Sequence, residues 1–190
     1  MTETDLLALF RRSGALLDGP FRLSSGLHSP SYLQCALVLQ HPRDAEALGA
    51  ALGGVVRSLG ATTVLSPALG GIVIGQEVGR ALGVRAIFAE RQDGTLTLRR
   101  GFALEPGEKV LVVEDVVTTG GSTRETMDVA RAAGAVVVGA CGIVDRSGGK
   151  QALGVPFHAL LSMVVPGYQA EECPLCKTGS PVLKPGSRNK

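Results

Sequence analysis

The stretch Val110–Thr123 reads VLVVEDVVTTGGST and carries most of the information about the fold. It begins with an apolar run, continues with two adjacent acids, Glu114 and Asp115, and ends in a segment of Thr, Gly and Ser. Apolar runs without polar alternation are typical of strands covered by helices on both faces. A loop rich in glycine and hydroxyls then offers N–H groups to an anion at a helix N-terminus. The stretch therefore predicts an α/β sheet with a phosphate site at the carboxyl end of a strand.

Short apolar runs alternate with stretches of helical period on both sides of this motif. We expect further strands at Thr62–Leu65, Arg85–Phe88, Val136–Val144 and Phe157–Val165, and helices at Asp5–Arg12, Arg43–Leu59, Ile72–Leu82 and Thr123–Ala133. This alternation predicts a mainly parallel, twisted sheet flanked by helices. Residues 90–101 (ERQDGTLTLRRG) interrupt it, and their TLTL pattern predicts a hairpin arm.

The chain has 190 residues and a formal net charge of +2, which fits one domain. We expect N-terminal helices and a turn-rich segment in residues 1–60, the α/β core in 61–166 and an irregular tail in 167–190. The balanced charge argues against nucleic acid as a partner. No apolar run approaches the ~20 residues of a membrane span, and no signal-peptide pattern opens the chain. The sequence thus predicts a cytoplasmic protein with four reduced cysteines.

The two acids need their own explanation, because carboxylates beside a phosphate site repel the ligand unless they hold something else. Sugar hydroxyls or a cation would serve, and a ribose phosphate satisfies both demands. The loop Thr118–Thr123 lacks the lysine and the spacing of a Walker motif. A simpler alternative is a capped helix start in which the acids are merely solvated.

The complete string resembles the motif that binds phosphoribosyl diphosphate (PRPP) in the type I phosphoribosyltransferases. The resemblance implies that family's α/β fold, with an N-terminal hood and a flexible lid hairpin at residues 90–101. It implies that Glu114 and Asp115 hold the ribose 2′- and 3′-hydroxyls. The residues that would wrap the 5′-phosphate are Thr118, Thr119, Gly120, Gly121, Ser122 and Thr123.

Three further segments resemble the members of this family that act on orotate. Phe21–Cys35 resembles the hood over the orotate, and Ser66–Gly75 resembles the diphosphate loop with its following helix. Ile143–Gly149 resembles the segment whose arginine faces the orotate carboxylate. Together the resemblances cover nearly the full chain.

Arg146 is the arginine of that last segment, and a planar guanidinium can grip a carboxylate through two parallel hydrogen bonds. The resemblance adds Ser24 of the hood and Thr119 as further orotate contacts. The alternative for Arg146 is a surface ion pair with Asp145 or with an acid of the tail.

Ala68, Leu69 and Gly70 form a small-residue turn that could offer successive N–H groups to a diphosphate. The resemblance implies a strained or cis peptide near the first two, whereas a plain strand-to-helix turn is the alternative. Many orotate enzymes carry lysines where this chain has Ser24 and Gly70. Since no lysine precedes Lys109, arginines must supply any diphosphate cation from the first 108 residues.

Arg91, Arg99 and Arg100 on the hairpin are the expected donors, and with Asp115 they make up the expected catalytic residues. A solvated charged hairpin is the alternative. The resemblance implies Mg²⁺ as cofactor, held mainly by PRPP oxygens and water with few protein bonds. It also implies a homodimer in which the lid acts across the interface.

The activity implied is that of a glycosyltransferase (pentosyltransferase) that moves the ribose 5-phosphate of PRPP to orotate. The products are orotidine 5′-monophosphate and diphosphate, a step of pyrimidine (UMP) biosynthesis. A purine or other nucleobase phosphoribosyltransferase shares the motif, but a neutral purine offers Arg146 no carboxylate. A non-catalytic PRPP-sensing regulator would need a nucleic-acid module or a basic face.

The tail contains a C-x-x-C motif, Cys173 and Cys176, whose spacing is used by zinc sites and by redox dithiols. Zinc usually takes four ligands. Cys35, Cys141 or His158 could complete the set, or two tails that meet in a dimer could supply four thiolates. A disulfide, or a simple turn with two reduced thiols, are the alternatives.

Overall fold

The computed structural model describes residues 1–23, 26–177 and 181–184. It divides into two compact units. The larger comprises Leu39–Met163 together with Met1, and the smaller comprises Thr2–Val38 and Val164–Lys190. The smaller unit thus unites the two ends of the chain, whereas the sequence suggested only a boundary near residue 166.

Within the described residues, these units contain eight strands and six α-helices. The strands are β1 (Leu16–Arg22), β2 (His28–Leu33), β3 (Thr63–Pro67), β4 (Arg85–Gln92), β5 (Thr95–Leu98), β6 (Lys109–Val117), β7 (Val136–Asp145) and β8 (Phe157–Ser162). The helices are α1 (Glu3–Arg12), α2 (Ala36–Leu39), α3 (Pro42–Val56), α4 (Gly70–Leu82), α5 (Gly121–Ala132) and α6 (Pro174–Lys177), and short 3₁₀ turns occupy Arg57–Leu59 and Ala170–Glu172. Among the described residues no helix is both long and apolar enough to cross a membrane.

The larger unit is built on a six-stranded sheet with the order β5-β4-β3-β6-β7-β8. Every neighbouring pair runs parallel except β4 and β5, which are antiparallel. All five residues of β3 are buried, as are Val110–Val113 of β6. The mainly parallel sheet predicted from these apolar runs is confirmed.

Both faces of the sheet are covered by helices. Leu65 of β3 packs in one apolar cluster with Met127 of α5, whereas Val64, the preceding residue, faces α4 near Gly75. Helices α3 and α4 approach each other closely, because a Cβ at Gly53 would lie only 2.8 Å from the Cβ of Ala81. This double cover explains why the strands read as continuous apolar runs.

The smaller unit contains the hairpin of β1 and β2, which the sequence suggested only as a polar, turn-rich piece. Its strands are antiparallel, with a register break between Asp18 and Phe21. The tail pairs with this hairpin through two isolated bridges, Phe21 with Leu183 and His28 with Tyr168. Helix α1 begins with a capping box between Thr2 and Asp5, as its sequence period predicts.

Candidate active site

Strands β3 and β6 are neighbours at the centre of the sheet, and the chain leaves them in opposite directions. From β3 it passes through α4 to β4 on one side, and from β6 it passes through α5 to β7 on the other. Ligands of open α/β sheets bind outside the carboxyl ends of strands at such a switch point. The two loops expected to bind PRPP, residues 68–70 and 118–120, follow these two strands. The topology therefore brings them to one site.

Asp115 and Gly70 are in direct contact across this site. A Cβ on Gly70 would lie 2.8 Å from each carboxylate oxygen of Asp115, inside van der Waals distance. The Asp115 carboxylate is fixed by the N–H of Val116, which donates to its Oδ1 at 2.8 Å. The absence of a lysine at position 70 thus has a local reason, because the acid occupies the space in which that side chain would start.

Glu114 is buried next to Asp115, with a relative exposure of 8%. Its Oε1 lies 3.4 Å from the Ser122 hydroxyl, and its Oε2 has no hydrogen-bond partner within residues 1–23, 26–177 and 181–184. Burial, with a smaller contribution from the charge of Asp115, raises the pKa of Glu114 to about 8. Burial also raises the pKa of Asp115. Oε2 of Glu114 is thus a buried carboxyl oxygen without a partner among the described residues, and it is suited to a ligand hydroxyl.

The phosphate loop has exposed hydroxyls at Thr118 and Thr119 and leads directly into α5. Gly120 precedes that helix with a φ of 74°, and a Cβ there would lie 3.0 Å from Nη1 of Arg124. Glycine is therefore required for both conformation and space. The first N–H groups of α5 point out of the helix end, where an anion is stabilised. The loop thus leads into a helix N-terminus as the sequence predicts, and its binding of a phosphate stays a prediction.

Residues near the start of α5 reinforce the loop. The Arg124 guanidinium donates to the carbonyl of Thr119 at 2.9 Å, and the Thr126 hydroxyl donates to the carbonyl of Ser122 at 2.8 Å. Thr123 is buried, and its hydroxyl has no partner among the residues that the structure describes. Side chains of α5 thus hold the backbone of the loop and of the helix start, and Thr118 and Thr119 remain exposed.

The loop after β3 contains a cis peptide bond between Ala68 and Leu69, as the resemblance implied. The N–H of Ala68 donates to the carbonyl of Ala89 in β4 at 2.7 Å. That amide is therefore engaged in the sheet, which leaves Leu69 and Gly70 as the backbone donors we expect at a diphosphate. Leu69 itself is 85% exposed, a high value for a leucine beside a ligand site.

Arg146 follows the last residue of β7 and lies beside the end of β6. Its backbone N–H donates to the carbonyl of Val117 at 2.8 Å. The preceding Asp145 accepts hydrogen bonds from the N–H and the hydroxyl of Ser147, at 2.7 and 2.6 Å. The structure thus places Arg146 directly after β7, beside the end of β6 from which the phosphate loop follows.

Residues 90–101 form the predicted hairpin, in which β4 pairs antiparallel with β5. The turn is made by Asp93 and Gly94, which both have positive φ, 51° and 86°. A two-residue hairpin loop in which both residues have positive φ matches the right-handed twist of the flanking strands. The hairpin forms one edge of the main sheet.

The hairpin arginines are paired with carboxylates of the same chain. Arg91 lies 2.8 Å from Glu125 of α5, and Arg100 donates two hydrogen bonds to Glu90 at 2.7 and 3.1 Å. Arg99 lies 4.0 Å from Glu90. The hydrogen bond from Arg100 lowers the pKa of Glu90. These pairs are exposed, and pairs of this kind contribute only about 0–1 kcal/mol, so they hold the arginines weakly.

A second cluster of reactive side chains lies in the smaller unit. His28 Nδ1 is 3.1 Å from Cys176 Sγ, and Cys173 belongs to the same group. Burial alone would raise the pKa of Cys173, but hydrogen bonds with Cys176 and Leu175 lower it. Sequence reasoning missed His28, because 148 residues separate it from Cys176.

The other residues considered for this cluster lie elsewhere. Cys141 and His158 face each other in the parallel pair of β7 and β8 in the larger unit, and Cys35 is buried just after β2. Ser24, expected at the orotate, lies outside the described residues.

Comparison with known proteins identifies the family of the chain. A family model described as the phosphoribosyl transferase domain matches residues 37–153. Proteins named orotate phosphoribosyltransferase are 56% identical in Chlorobaculum parvum, over 100% of this chain and 98% of that protein, and 56% identical in Heliobacterium modesticaldum, over 99% and 100%.

Solved structures agree with these relatives. The orotate phosphoribosyltransferase of Aeropyrum pernix has a TM-score of 0.67 at 27% identity, covering 83% of this chain and 93% of its own. The Mycobacterium tuberculosis enzyme, solved in complex with PRPP, has a TM-score of 0.67 at 25% identity, covering 83% and 94%. With the switch-point site and the full-length identity taken together, the chain belongs to the orotate phosphoribosyltransferases of the phosphoribosyl transferase family.

Proposed function

We propose that the site between β3 and β6 binds PRPP and that its residues direct transfer of the ribose 5-phosphate to orotate, with release of diphosphate. The observation that carries this assignment is the buried pair Glu114 and Asp115 beside an open anion loop. One ligand that offers hydroxyl donors and a phosphate a few bonds apart satisfies both features. The related M. tuberculosis enzyme was solved with PRPP bound, which supports the same ligand here.

Ground-state binding of PRPP is assigned to three groups of atoms. The N–H groups at the start of α5 and the hydroxyls of Thr118 and Thr119 hold the 5′-phosphate. The free Oε2 of Glu114 and the carboxylate of Asp115 accept the ribose hydroxyls. The amides of Leu69 and Gly70 face the diphosphate. These contacts orient the anomeric carbon and hold the two reactants in place.

Orotate is recognised by its carboxylate. Arg146 lies at the same sheet edge as the phosphate loop and carries the planar guanidinium that binds a carboxylate through two hydrogen bonds. Thr119 and Ser24 remain the proposed additional contacts. Orotate is already an anion with an acidic ring nitrogen, so the reaction needs no strong protein base.

Catalysis then depends on the leaving group. As the bond from the anomeric carbon to diphosphate breaks, negative charge accumulates on the diphosphate and positive character on the ribose. Arg91, Arg99 and Arg100 supply positive charge to the diphosphate when they leave their weak pairs with Glu90 and Glu125. Closure of the hairpin also excludes water from the cation-like carbon.

A magnesium ion fits this site only as a ligand-held ion. Within the described residues, no group of three acidic, His or Cys ligands lies around Glu114 and Asp115. Mg²⁺ would therefore be bound mainly by PRPP oxygens and water, with at most these carboxylates from the protein. When bound, the ion supplies additional charge stabilisation for the departing diphosphate.

We also propose a cytoplasmic homodimer whose lid acts across the interface. Within one chain, Arg99 and Arg100 pair with Glu90 of their own hairpin rather than with the phosphate loop. Coexpression of a chain with both arginines changed to Ala and a chain with Asp115→Asn should then restore part of the activity. No recovery in the mixed protein would instead favour a lid that acts within its own subunit.

A diphosphate-release assay with PRPP, Mg²⁺ and each nucleobase in turn tests the reaction itself. We expect turnover with orotate and with neither adenine nor hypoxanthine. Turnover with a purine but not with orotate would overturn the assignment.

A further inference from the structure

Three metal-ligating side chains from the two ends of the chain meet in the smaller unit. The ligand atoms of His28, Cys173 and Cys176 all lie within 4.8 Å of one another. Cys173 is fully buried, and Cys176 and His28 are largely covered. The proposed transfer reaction uses none of them, because its PRPP residues all belong to the larger unit.

The backbone holds these side chains in place from both sides. His28 and Tyr168 exchange two N–H···O hydrogen bonds, each of 2.8 Å. Leu183 exchanges two more with β1, at 2.8 and 2.9 Å. Cys173 and Cys176 lie between Tyr168 and Leu183 in the chain, so the segment that carries both thiols is anchored at each end to the hairpin that carries His28. The cluster is therefore built by the fold rather than by a chance approach of side chains.

The distances between the three ligand atoms suit tetrahedral coordination of a metal ion. Zinc–sulfur bonds of about 2.3 Å and zinc–nitrogen bonds of about 2.0 Å place tetrahedral ligand atoms about 3.5–3.8 Å apart. That range is bracketed by two distances in the cluster. His28 Nδ1 lies 3.1 Å from Cys176 Sγ, and all three ligand atoms lie within 4.8 Å of one another. Small changes in side-chain torsion would bring all three atoms to bonding distance.

The donor chemistry selects zinc among the common divalent ions. Two thiolates and one imidazole are soft and borderline ligands, which Mg²⁺ and Ca²⁺ avoid. Two thiolates also neutralise the charge of the ion, so that a largely buried complex carries no net charge. Without a metal, the two thiols of Cys173 and Cys176 would lie against the imidazole of His28.

We propose that His28, Cys173 and Cys176 bind one zinc ion that fixes the C-terminal tail to the β1–β2 hairpin, with water as the fourth ligand. The ion closes a loop of 148 residues between His28 and Cys176. Two-stranded hairpins are marginally stable alone, and a metal that links one to a second segment stabilises both. Zinc here has a structural role.

Metal analysis of full-length protein purified without added zinc, under reducing conditions, tests this site. We expect about one zinc per chain. Replacement of the ion by Co²⁺ should give visible d–d bands of tetrahedral coordination and near-ultraviolet bands of thiolate-to-cobalt charge transfer. The Cys173→Ser/Cys176→Ser variant should lose the metal and both sets of bands, and His28→Asn should bind it more weakly by about 10-fold or more. His41→Asn and Cys35→Ala are the matched controls and should keep it.

The wild-type spectrum decides the matter even if a ligand variant fails to fold. Protein with four titratable thiols that takes up neither zinc nor cobalt in stoichiometric amount would overturn the proposal. Cobalt bound without thiolate bands, or equally tightly by the double cysteine variant, would overturn it too, as would a Cys173–Cys176 disulfide that persists under reducing conditions. Because the readout is metal content, the orotate assay remains an independent test of the proposed function.

Discussion

The carboxylate of Asp115 lies against the backbone of Gly70, at the point where a side chain on residue 70 would begin. The contact joins the two halves of the PRPP site, since Asp115 belongs to β6 and Gly70 opens α4 after β3. In the proposed PRPP site, Asp115 is assigned to a ribose hydroxyl and the backbone of Gly70 to the diphosphate, so these two groups are positioned by each other. We therefore expect the fit of PRPP to depend on the small size of Gly70 and the fixed position of Asp115.

Gly70→Ala should weaken PRPP binding by about 1–3 kcal/mol, because the new Cβ pushes the Asp115 carboxylate from its place. Gly54→Ala is the matched control, since a Cβ there meets nothing within 4 Å. Isothermal calorimetry with PRPP and Mg²⁺ measures both variants. In the double variant with Asp115→Asn the losses should be less than additive, because both changes disturb one contact. Full additivity would contradict the coupling.

Asp115→Asn keeps the shape of the side chain but removes an anionic acceptor. We expect a loss of about 1–3 kcal/mol in PRPP binding, from the hydrogen bond to the ribose. Asp128→Asn on the exposed face of α5 serves as control, because Asp128 pairs with Arg131 of its own helix. Unchanged PRPP affinity in the Asp115 variant would count against the carboxylate's role.

The pKa of Glu114 predicts a pH dependence of folding stability. Its value of about 8 lies above the ordinary 4.5, so the native state holds the proton more tightly than the unfolded chain. The free energy of unfolding should therefore fall as pH rises from 4.5 to about 8, by at most about 1.4 kcal/mol per pH unit, and level off above. Asp115, with its pKa also raised, contributes in the same direction.

Denaturant unfolding at several pH values measures this slope in ligand-free protein. Glu114→Gln should flatten it, and Glu46→Gln on the exposed face of α3 should leave it unchanged. An equally steep slope in the Glu114 variant would show that its carboxyl does not bind the proton in the native state.

Changing Arg99 and Arg100 together to Ala should lower kcat by at least 10-fold and change the affinity for PRPP much less. The reason is that these residues act on charge that develops only as the diphosphate departs. Arg131→Ala, which removes another exposed arginine paired within its own chain, is the control. A loss confined to ground-state binding, with kcat intact, would place the two arginines outside the catalytic step.

Features set by local pattern could be predicted from the sequence. The apolar run Val110–Val113 and the loop after it predicted a buried parallel strand and a glycine-containing loop that opens a helix, and both are present. The hairpin within residues 90–101 followed from their TLTL alternation, and β4 and β5 form it. In each case neighbouring residues determine the conformation, so a short window of sequence contains the information.

Features that depend on distant segments could not be predicted. Nothing near His28 marks it as a partner for Cys173 and Cys176, because their meeting depends on a backbone bridge to Tyr168. The contact of Gly70 with Asp115 likewise follows from the order of strands in the sheet. Local pattern indicates which residues are suited to a chemistry, whereas topology determines which of them meet.

The pairing of the two chain ends has a consequence for biosynthesis. The β1–β2 hairpin is made before residues 39–163, but Tyr168 and Leu183, to which it is hydrogen-bonded, are made after them. Residues 39–163 have all their sheet partners within themselves, so they can fold while the tail is still being translated. The β1–β2 hairpin must wait for these partners until Tyr168 and Leu183 have been made. Truncation of the last twenty-odd residues should therefore leave the beginning of the protein, rather than its middle, without a partner.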